Sequence, residues 1–524
     1  MKRYIFYSIL FLSGLFGLQS CFDDDSSEAT IHIPEIEIDT TGIPVAHYAV
    51  SGRPLVIRPN VTQEGSDGSN LSYEWKISMK ALSYSSETVE YFTVGTQMHI
   101  DTVLPMPSAT NAYNLWYQVT DNNTGIRKDI VWQIYVNPAY PEGLLVASTY
   151  DGSTSDLSYI KDKDFYYGWV DTSDVKEVAH KLYSAANGAG YPGLIKDIQC
   201  YYNSATGIAG RRFNVITDKD YFLLDKEYKL VGVNHQVVFD QEMVIKPQQL
   251  YYCSSGNIGL VNNNEIYRIN VDANAKPGIS ISGKVLVTNP DGSATEKYIY
   301  PDKMIATGVN SGGSWGCWYD KNNGWFAHST SHSEKGNMTI CPAATTPFDP
   351  SNCPGLETVY AGEGYGSTFY MIMKNGSKYQ IYVIKRSGAT AQALYEIPGT
   401  EINDAKYFDI ATNGNVVYFA TSSAVYGIVL GGSTPEVKKI YDATAGEITH
   451  LSIFRHMPRT YNYYYTSYRL ETHEYLLMVG ESQGNNGTLT TIPIITPNVA
   501  AIDVAAKKQY TGFGRILDVV QQKN

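Results

Sequence analysis

Short hairpin patterns recur along most of this chain and constrain its fold more strongly than any other sequence feature. From Gly143 onward, aromatic and aliphatic runs alternate with turns rich in Asn, Gly, Asp and Lys, as at residues 374–377. The units recur about every fifty residues, a spacing typical of propeller blades. Residues 143–524 are therefore predicted to form a β-propeller of six to eight blades, with seven favoured. A run of unrelated sandwiches is the alternative.

The composition also predicts an all-β chain. The 524 residues include 43 Tyr, 45 Gly, 16 Phe and 7 Trp, a mixture that favours strands and tight turns over helices. The formal net charge is −12, so the protein lacks the excess of cations with which nucleic-acid-binding proteins displace counterions. No nucleic acid partner is expected.

A propeller is stable only if its ring closes, because an open ring leaves free strand edges. Residues 144–148 form the first predicted strand of the ring, and residues 515–520 form the last. We expect these two strands to pair within one blade.

The first 20 residues have the pattern of a signal peptide. Lys2 and Arg3 precede an apolar run too short to span a bilayer comfortably. The sequence Leu-Gln-Ser-Cys at 18–21 resembles the lipobox of bacterial lipoproteins, in which Cys21 becomes the acylated first residue. An ordinary secretory signal with a chance cysteine is the alternative. Acyl chains on Cys21 would anchor an otherwise soluble protein to a membrane.

Residues 21–30 form an acidic tether with almost nothing to bury. Asp23, Asp24 and Asp25 resemble the lipoprotein export signal of Bacteroidota, a short acidic run behind the lipidated cysteine. That resemblance implies a location on the extracellular side of the outer membrane. A plain solvated linker is the other interpretation.

Residues 31–138 are predicted to form a first domain, a β-sandwich. Residues 71–77 alternate with period two and place Trp75 on the buried face of a strand. Residues 115–121 and 130–136 flank a turn and are predicted to form a hairpin.

The residues of this first domain carry a family resemblance. Tyr73-x-Trp75 with Tyr117-x-Val119-Thr120-Asp121 resembles an immunoglobulin-like sandwich of the PKD type. A lipobox, this domain and a long β-rich remainder together are similar to the PKD-like family lipoproteins of Bacteroidota. The resemblance implies a setting beside a SusC-like TonB-dependent transporter and its SusD-like lipoprotein.

Recognisable catalytic and metal-binding motifs are missing from the sequence. It contains no G-x-S-x-G elbow, P-loop or Rossmann glycine fingerprint. His328 and His332 have the spacing of zinc ligands on a helix but no acidic partner between them, and Asp162 and Asp164 are interpreted as residues of a solvated turn. We therefore predict no catalytic residue, no metal and no cofactor.

Five cysteines follow Cys21, and an odd number cannot pair completely within the chain. Cys341 and Cys353 flank a proline-containing loop and could close it by a disulfide. Free buried thiols are the interpretation for Cys200 and Cys253.

Clustered aromatic residues are the candidate ligand-binding groups, because planar rings stack on sugars and accept peptide side chains. Packing in the core of a blade is the alternative. The candidates are Trp315, Trp318, Tyr319, Trp325, Tyr463 and Tyr464.

Three functions remain open on the sequence alone. The first is a non-enzymatic accessory lipoprotein of an outer-membrane nutrient uptake complex that binds or helps deliver an oligopeptide or glycan. The net negative charge slightly favours a cationic peptide. The second is a surface hydrolase with its active site in the propeller funnel. The third is an adhesion or structural protein.

Overall fold

A computed structural model gives the fold of the protein. It describes residues 34–81, 89–109, 111–166, 176–203, 210–237, 244–252, 257–270, 278–280, 284–288, 293–307, 316–329, 338–432, 434–456 and 471–522. Contacts divide the chain into two compact units, Met1–Val136 and Asn137–Asn524. The regular secondary structure in the described part of both units consists almost entirely of strands, which confirms the all-β prediction.

The N-terminal unit is a β-sandwich. A five-stranded sheet in the order β2-β9-β8-β5-β6 packs against two two-stranded sheets, β1-β4 and β3-β7. The strands are β1 (Ile36–Asp39), β2 (Ala46–Val50), β3 (Pro54–Ile57), β4 (Asn60–Gln63), β5 (Leu71–Ser78), β6 (Tyr91–Gly95), β7 (Ile100–Val103), β8 (Tyr113–Asp121) and β9 (Arg127–Asn137).

Trp75 lies at the centre of the sandwich core. Its ring is fully buried and stacks on Tyr117 and Trp132 at centroid distances of 4.1 Å and 5.5 Å. The indole N–H donates a hydrogen bond to the carbonyl oxygen of Gln97 at 2.8 Å, so the polar end of the ring is also satisfied. Strands β8 and β9 pair as the predicted hairpin.

The second unit begins with the strands of its first three blades. One helix, α1 (Leu182–Asn187), lies between the first two blades in sequence. The strands are β10 (Gly143–Thr149), β11 (Thr154–Lys161), β12 (Glu177–Ala179), β13 (Tyr191–Pro192), β14 (Asp197–Asn203), β15 (Gly210–Ile216), β16 (Tyr221–Leu224), β17 (Leu230–Val233), β18 (Pro247–Tyr252), β19 (Asn257–Asn262), β20 (Glu265–Asn270) and β21 (Gly278–Ser280).

A separate hairpin precedes the fourth blade, and four blades then follow. The hairpin consists of β22 (Lys284–Thr288) and β23 (Ala294–Tyr298). The remaining strands are β24 (Ala306–Thr307), β25 (Gly316–Asp320), β26 (Trp325–Ser329), β27 (Met338–Ile340), β28 (Leu356–Gly364), β29 (Thr368–Asn375), β30 (Lys378–Lys385), β31 (Thr390–Glu396), β32 (Tyr407–Ile410), β33 (Val416–Ala420), β34 (Ala424–Val429), β35 (Glu436–Asp442), β36 (Glu447–Ile453), β37 (Leu476–Gln483), β38 (Asn486–Thr496), β39 (Ala501–Ile502), β40 (Lys508–Phe513) and β41 (Arg515–Gln522).

These strands form seven antiparallel blades among the described residues. Blade 1 has the order β41-β10-β11-β12, and blades 2 to 6 are β14–β17, β18–β21, β24–β27, β28–β31 and β32–β35. Blade 7 has the order β36-β37-β38-β40. The seven-bladed propeller that the hairpin spacing favoured is therefore confirmed.

Turn chemistry explains the local hairpins. Between β19 and β20, Asn263 and Asn264 have φ values of +49° and +60°. Two consecutive residues with positive φ form the turn whose twist matches that of antiparallel strands, and Asn tolerates this conformation better than most residues.

A separate hydrophobic cluster lies at each of the seven junctions between neighbouring blades. Successive residues of a central strand point to opposite faces of the sheet, so they enter different clusters. In β25, for example, Trp318 packs between blades 3 and 4, and Tyr319 packs between blades 4 and 5. Central strands such as β25 and β33 are consequently buried along their whole length.

The last strand closes the ring, as predicted. β41 pairs antiparallel with β10, with Leu144 opposite Gln521 and Leu145 opposite Val520. Gln522 fixes the end of this strand, because its side-chain N–H groups donate to the carbonyl oxygens of Tyr140 and Pro141 at 2.8 Å and 2.6 Å.

A buried polar contact joins the first and last blades. Glu142 Oε1 accepts a hydrogen bond from the side-chain amide of Gln521 at 3.1 Å and lies 2.9 Å from His456 Nε2. All three residues are at most 5% exposed. Closure is therefore specified by polar side chains as well as by backbone pairing.

Candidate functional site

Three of the aromatic candidates lie in the interior of blade 4. Trp318 and Tyr319 are fully buried, and Trp325 is 6% exposed with Lys297 Nζ lying 4.8 Å from its ring centroid. The rings of Trp318 and Tyr319 pack against neighbouring blades, and Lys297 lies over the ring of Trp325. These three residues therefore pack in the core of the propeller, the alternative that the sequence left open. The candidates Trp315, Tyr463 and Tyr464, the proposed lipidation residue Cys21 and the acidic run Asp23, Asp24 and Asp25 lie outside the described residues.

The first strands of the blades line the central channel, and their polar side chains link one blade to the next. Asp518 of β41 accepts a hydrogen bond from the backbone N–H of Ile198 in β14 at 2.9 Å. Asp197 of β14 in turn accepts one from the backbone N–H of Leu250 in β18 at 2.8 Å.

The same type of link continues around the ring. Gln249 Oε1 accepts from the backbone N–H of Ile305 at 2.8 Å, and its side-chain amide donates to the carbonyl oxygen of that residue at 3.1 Å. Between blades 6 and 7, Asp409 accepts from the backbone N–H of Ile453 at 2.6 Å. Side chains near the axis therefore fix the angle between neighbouring blades.

Asp197 and Asp518 form a carboxylate pair in this channel. Burial raises the pKa of Asp197 to about 6. Burial also raises the pKa of Asp518 well above its usual value, and the negative charge of Asp197 adds to this rise. Two like charges in a confined space cannot both ionise cheaply, so the pair tends to hold a proton.

His450 lies beside the pair without neutralising it at neutral pH. Its Nδ1 is 3.7 Å from Asp518 Oδ1. Burial lowers the pKa of His450 to about 4, so the imidazole is uncharged at pH 7. The pair therefore keeps an unbalanced negative charge near the axis.

A second carboxylate in the channel is already neutralised. Arg455 donates two hydrogen bonds to Asp409, at 2.8 Å and 2.9 Å, in a bidentate arrangement. Its Nε also lies 3.9 Å from Glu474 Oε1. Burial alone would lower the pKa of Arg455, but Asp409 more than offsets this effect and raises it.

The channel is accessible to water. The side chains of Arg455 and Asp518 are 33% and 18% exposed, although both lie among the first strands of the blades.

Burial raises the pKa of Tyr360 on β28, and the nearby charge of Asp409 adds to the effect. The candidate site is thus the channel around Asp197, Asp518, His450 and Tyr360, which we call the carboxylate channel.

This arrangement suits two kinds of chemistry. A carboxylate pair with surplus negative charge can receive an ammonium or guanidinium group, and a carboxyl with raised pKa can donate a proton near neutral pH. Within the described residues, no group of three His, Cys, Asp or Glu side chains could hold a metal ion.

The other residues considered from the sequence have structural partners. Asp162 and Asp164 lie 3.1 Å and 2.6 Å from Lys508 Nζ, and Asp162 also accepts a hydrogen bond from Tyr510. His328 is buried in β26, whereas His332 lies outside the described residues.

Cys341 and Cys353, which the sequence allowed to pair, are both free thiols. Cys341 lies with Cys317 in the core between blades 4 and 5, and Cys353 donates to the carbonyl oxygen of Asp349 at 2.9 Å. Cys200 is buried as a reduced thiol, and Cys253 lies outside the described residues.

The carboxylate channel was missed in the sequence analysis, although a signal for it exists. A polar residue followed by an aliphatic residue recurs in the first strand of several blades. The instances are Asp197-Ile198, Gln249-Leu250, Asp409-Ile410, His450-Leu451 and Asp518-Val519. The polar side chain contacts a residue of the next blade, and the aliphatic side chain enters an inter-blade cluster.

In the part of the chain that the structure describes, no helix combines the length and the apolar character needed to cross a bilayer.

Comparisons with known proteins identify the first domain. Residues 21–193 match the model of the PKD-like family. No curated protein matches the chain. The match begins at Cys21 and extends beyond the sandwich to the strand β13 of the propeller unit.

Solved structures similar to the chain include the Dos1 propeller, which is 11% identical, with 68% of this chain and 83% of that chain covered and a TM-score of 0.34. A Lactobacillus plantarum protein is 9% identical, with 73% of this chain and 100% of that chain covered and a TM-score of 0.39. The WD40 domain of SCAP from fission yeast is 10% identical, with 63% and 74% covered and a TM-score of 0.31. The blade number and closure rest on the strand pairing described above. The chain therefore contains a PKD-like family domain near its N-terminus, followed by a seven-bladed β-propeller.

Proposed function

We propose that the protein is a surface lipoprotein that binds the cationic part of an oligopeptide in its carboxylate channel and assists its uptake without cleaving it. The observation that carries this proposal is the pairing of Asp197 and Asp518 in a water-accessible channel where His450 is uncharged at neutral pH. The net charge of −12 favours the approach of cationic ligands over long range.

Ring geometry supports binding at this point. Both carboxylates belong to first strands whose positions are fixed by hydrogen bonds to the next blade. A rigid site lowers the entropic cost of binding, because its groups are already ordered. A lysine or arginine side chain would relieve the repulsion between Asp197 and Asp518, which is present in the free protein.

Isothermal titration calorimetry with trilysine and triserine tests the ligand class. We expect trilysine to bind at neutral pH and triserine not to bind. The double variant Asp197→Asn with Asp518→Asn should weaken trilysine binding at least about tenfold, equivalent to ~1.4 kcal/mol. Asp218→Asn removes the same charge from a side chain that is 71% exposed and is the matched control. Equal affinity of all forms would refute the channel as the site.

The sequence supports a membrane anchor and a surface location. The lipobox-like run before Cys21 and the acidic residues Asp23, Asp24 and Asp25 support acylation and display on the extracellular side of the outer membrane. Cys21→Ala should lose the acyl label and the membrane association. Replacing the three Asp residues by Ala should keep the acyl label but protect the protein from protease added to intact cells.

A SusC-like transporter and a SusD-like lipoprotein are the proposed partners, by analogy with the PKD-like family lipoproteins. Affinity purification from detergent-extracted native membranes should recover both. Isolation of the chain alone under conditions that preserve other such complexes would argue against this setting.

A hydrolase is the second candidate, and the raised pKa values of Asp197 and Asp518 are the observation that favours it. One carboxyl of the pair could act as a general acid while the other is ionised. Release of new reducing ends from polysaccharides, or of new amino groups from proteins, would support this function if Asp197→Asn abolished the release. Binding of trilysine without any cleavage supports the accessory role.

A further inference from the structure

The outer face of the five-stranded sandwich sheet carries exposed aromatic residues. Tyr48 of β2 is 71% exposed and stacks on Tyr135 of β9, with ring centroids 5.3 Å apart. Tyr91 of β6 contacts the partly exposed Trp116 of β8 edge to face at 5.8 Å. Val131, which lies opposite Trp116 on β9, is 48% exposed.

Strand periodicity places these side chains on one surface. Residues 131, 133 and 135 of β9 alternate with buried Trp132 and Ile134, so they share the outer face. Tyr135 lies four residues from Val131, or about 13 Å along the strand. We call this surface, from Tyr48 across Tyr135, Val131 and Trp116 to Tyr91, the aromatic face.

Amide side chains lie between the rings. Asn114 and Gln133 are directly opposite each other on β8 and β9, two register positions from the pair formed by Trp116 and Val131 and on the same face of the sheet. Gln133 is exposed, and Asn114 donates a hydrogen bond of 3.4 Å to the Tyr91 hydroxyl. Rings provide stacking surfaces, and amides provide both donors and acceptors for hydroxyl groups.

The charges on this sheet balance. Lys76 Nζ lies 2.6 Å from Glu74 Oε2, and Asp129 accepts a hydrogen bond from Gln118 at 3.0 Å. Arg127, on the outer side of β9, lowers the pKa of Glu74 by its charge, after larger effects from hydrogen bonds. Two acidic and two basic side chains leave no net charge, so the surface selects against a strongly charged partner.

We propose that the aromatic face binds a neutral glycan chain. Aromatic rings spaced along one face of the sheet match the C–H faces of successive sugar units, and the intervening amides match their hydroxyl groups. A protein partner would bury the same amides, and burial costs free energy unless the partner supplies a hydrogen bond to each amide. This requirement favours a glycan, whose hydroxyl groups supply such hydrogen bonds along its whole length. The proposal does not depend on the carboxylate channel, which lies in the other unit.

Native affinity electrophoresis of the full chain tests the proposal, with gels that contain hydroxyethylcellulose, galactomannan, xylan or laminarin. We expect retardation in at least one gel. Trp116→Ala and Tyr48→Ala should each weaken the affinity about fivefold, the effect of losing one stacked ring. Because Tyr48 is so exposed, its variant keeps the test valid even if Trp116→Ala fails to fold. Tyr365→Ala, at an aromatic residue of the propeller that is 47% exposed, is the matched control and should bind normally.

Two results would overturn the proposal. The first is unchanged migration of the native chain in every gel, or retardation that both variants retain. The second is a dimer in sedimentation experiments that Tyr48→Ala converts to monomer, because the aromatic face would then be an interface between two copies. Loss of glycan binding in Trp116→Ala with normal trilysine binding would separate this site from the carboxylate channel.

Discussion

Replacing Asp197 by Asn should change how the stability of the propeller depends on pH. Burial raises the pKa of Asp197 from 3.8 to about 6. Near pH 5 this carboxyl is therefore protonated in the folded protein but ionised in the unfolded chain. Because the unfolded state then binds fewer protons, the contribution of Asp197 to stability falls as the pH rises from 4 to 7.

The size of the effect follows from the shift. One pKa unit corresponds to about 1.4 kcal/mol, so a rise of about two units costs the folded protein about 3 kcal/mol at pH 7. Asn cannot ionise and escapes this cost. Its oxygen can still accept the hydrogen bond from Leu250, and the weaker contact with Gln199 at 3.3 Å is the one lost. That loss is independent of pH and should be about 1 kcal/mol.

Urea unfolding of the native chain and the variant at several pH values between 4 and 7 measures this difference. The free energy of unfolding of Asp197→Asn, relative to the native chain, should rise by about 2.5 kcal/mol from pH 4 to pH 7, because the carboxyl of the unfolded chain is already partly ionised at pH 4. The lowered pKa of His450 reduces the stability of both forms as the pH falls from about 6.5 to 4. This effect cancels when the two free energies of unfolding are subtracted. Asp218→Asn removes a carboxylate whose side chain is 71% exposed and is the control. The same dependence on pH for Asp197→Asn as for Asp218→Asn would refute the buried carboxylate pair.

Three further substitutions test the cores, the closure and the channel. Trp75→Ala should destabilise the sandwich by about 3–5 kcal/mol and leave the unfolding transition of the propeller in place; a calorimetric scan in which both units unfold earlier would contradict their independence. Gln522→Ala should destabilise the propeller by about 2–3 kcal/mol, since the partly buried carbonyl groups of Tyr140 and Pro141 lose their donor and the buried hydroxyl of Tyr228 loses its acceptor, and a loss below 0.5 kcal/mol in urea titrations would show that β41 closes the ring without it. Asp409→Asn should cost about 1–3 kcal/mol, a range that allows for the partial exposure of Arg455, and no loss of stability would argue against the bidentate pair.

Local patterns in the sequence predicted the strands well. The alternation around Trp75 and the turn residues between hairpins are properties of short segments, so they could be read without knowledge of the whole fold. Pairing of β10 with β41 was also predictable, because a propeller must remove its free edges.

Contacts that depend on the ring were not predictable in this way. The sequence makes Trp318 and Tyr319 candidate ligand-binding groups because they are aromatic and close to a glycine-rich turn. In the propeller, both faces of β25 meet a neighbouring blade, and both rings are buried. The sequence shows that both residues are aromatic and that they point to opposite faces of the strand. It does not show that a neighbouring blade covers each of those faces.

The carboxylate channel illustrates the same difficulty. Asp197 and Asp518 are separated by most of the propeller in sequence and meet only because the last strand enters the first blade. Each looks like an ordinary polar residue within a strand. Their pKa values depend on burial and on each other, so the site exists only in the closed ring.

Proton release on binding is the most direct measurement of the central claim, that a cationic group binds between Asp197 and Asp518. Calorimetric titration with trilysine near pH 5.5, in buffers of different ionisation enthalpy, counts the protons exchanged. A bound ammonium lowers the pKa of both carboxyls, so about one proton should be released per ligand, and none by Asp197→Asn with Asp518→Asn. Binding with no proton released, or with equal release from the double variant, would contradict the account.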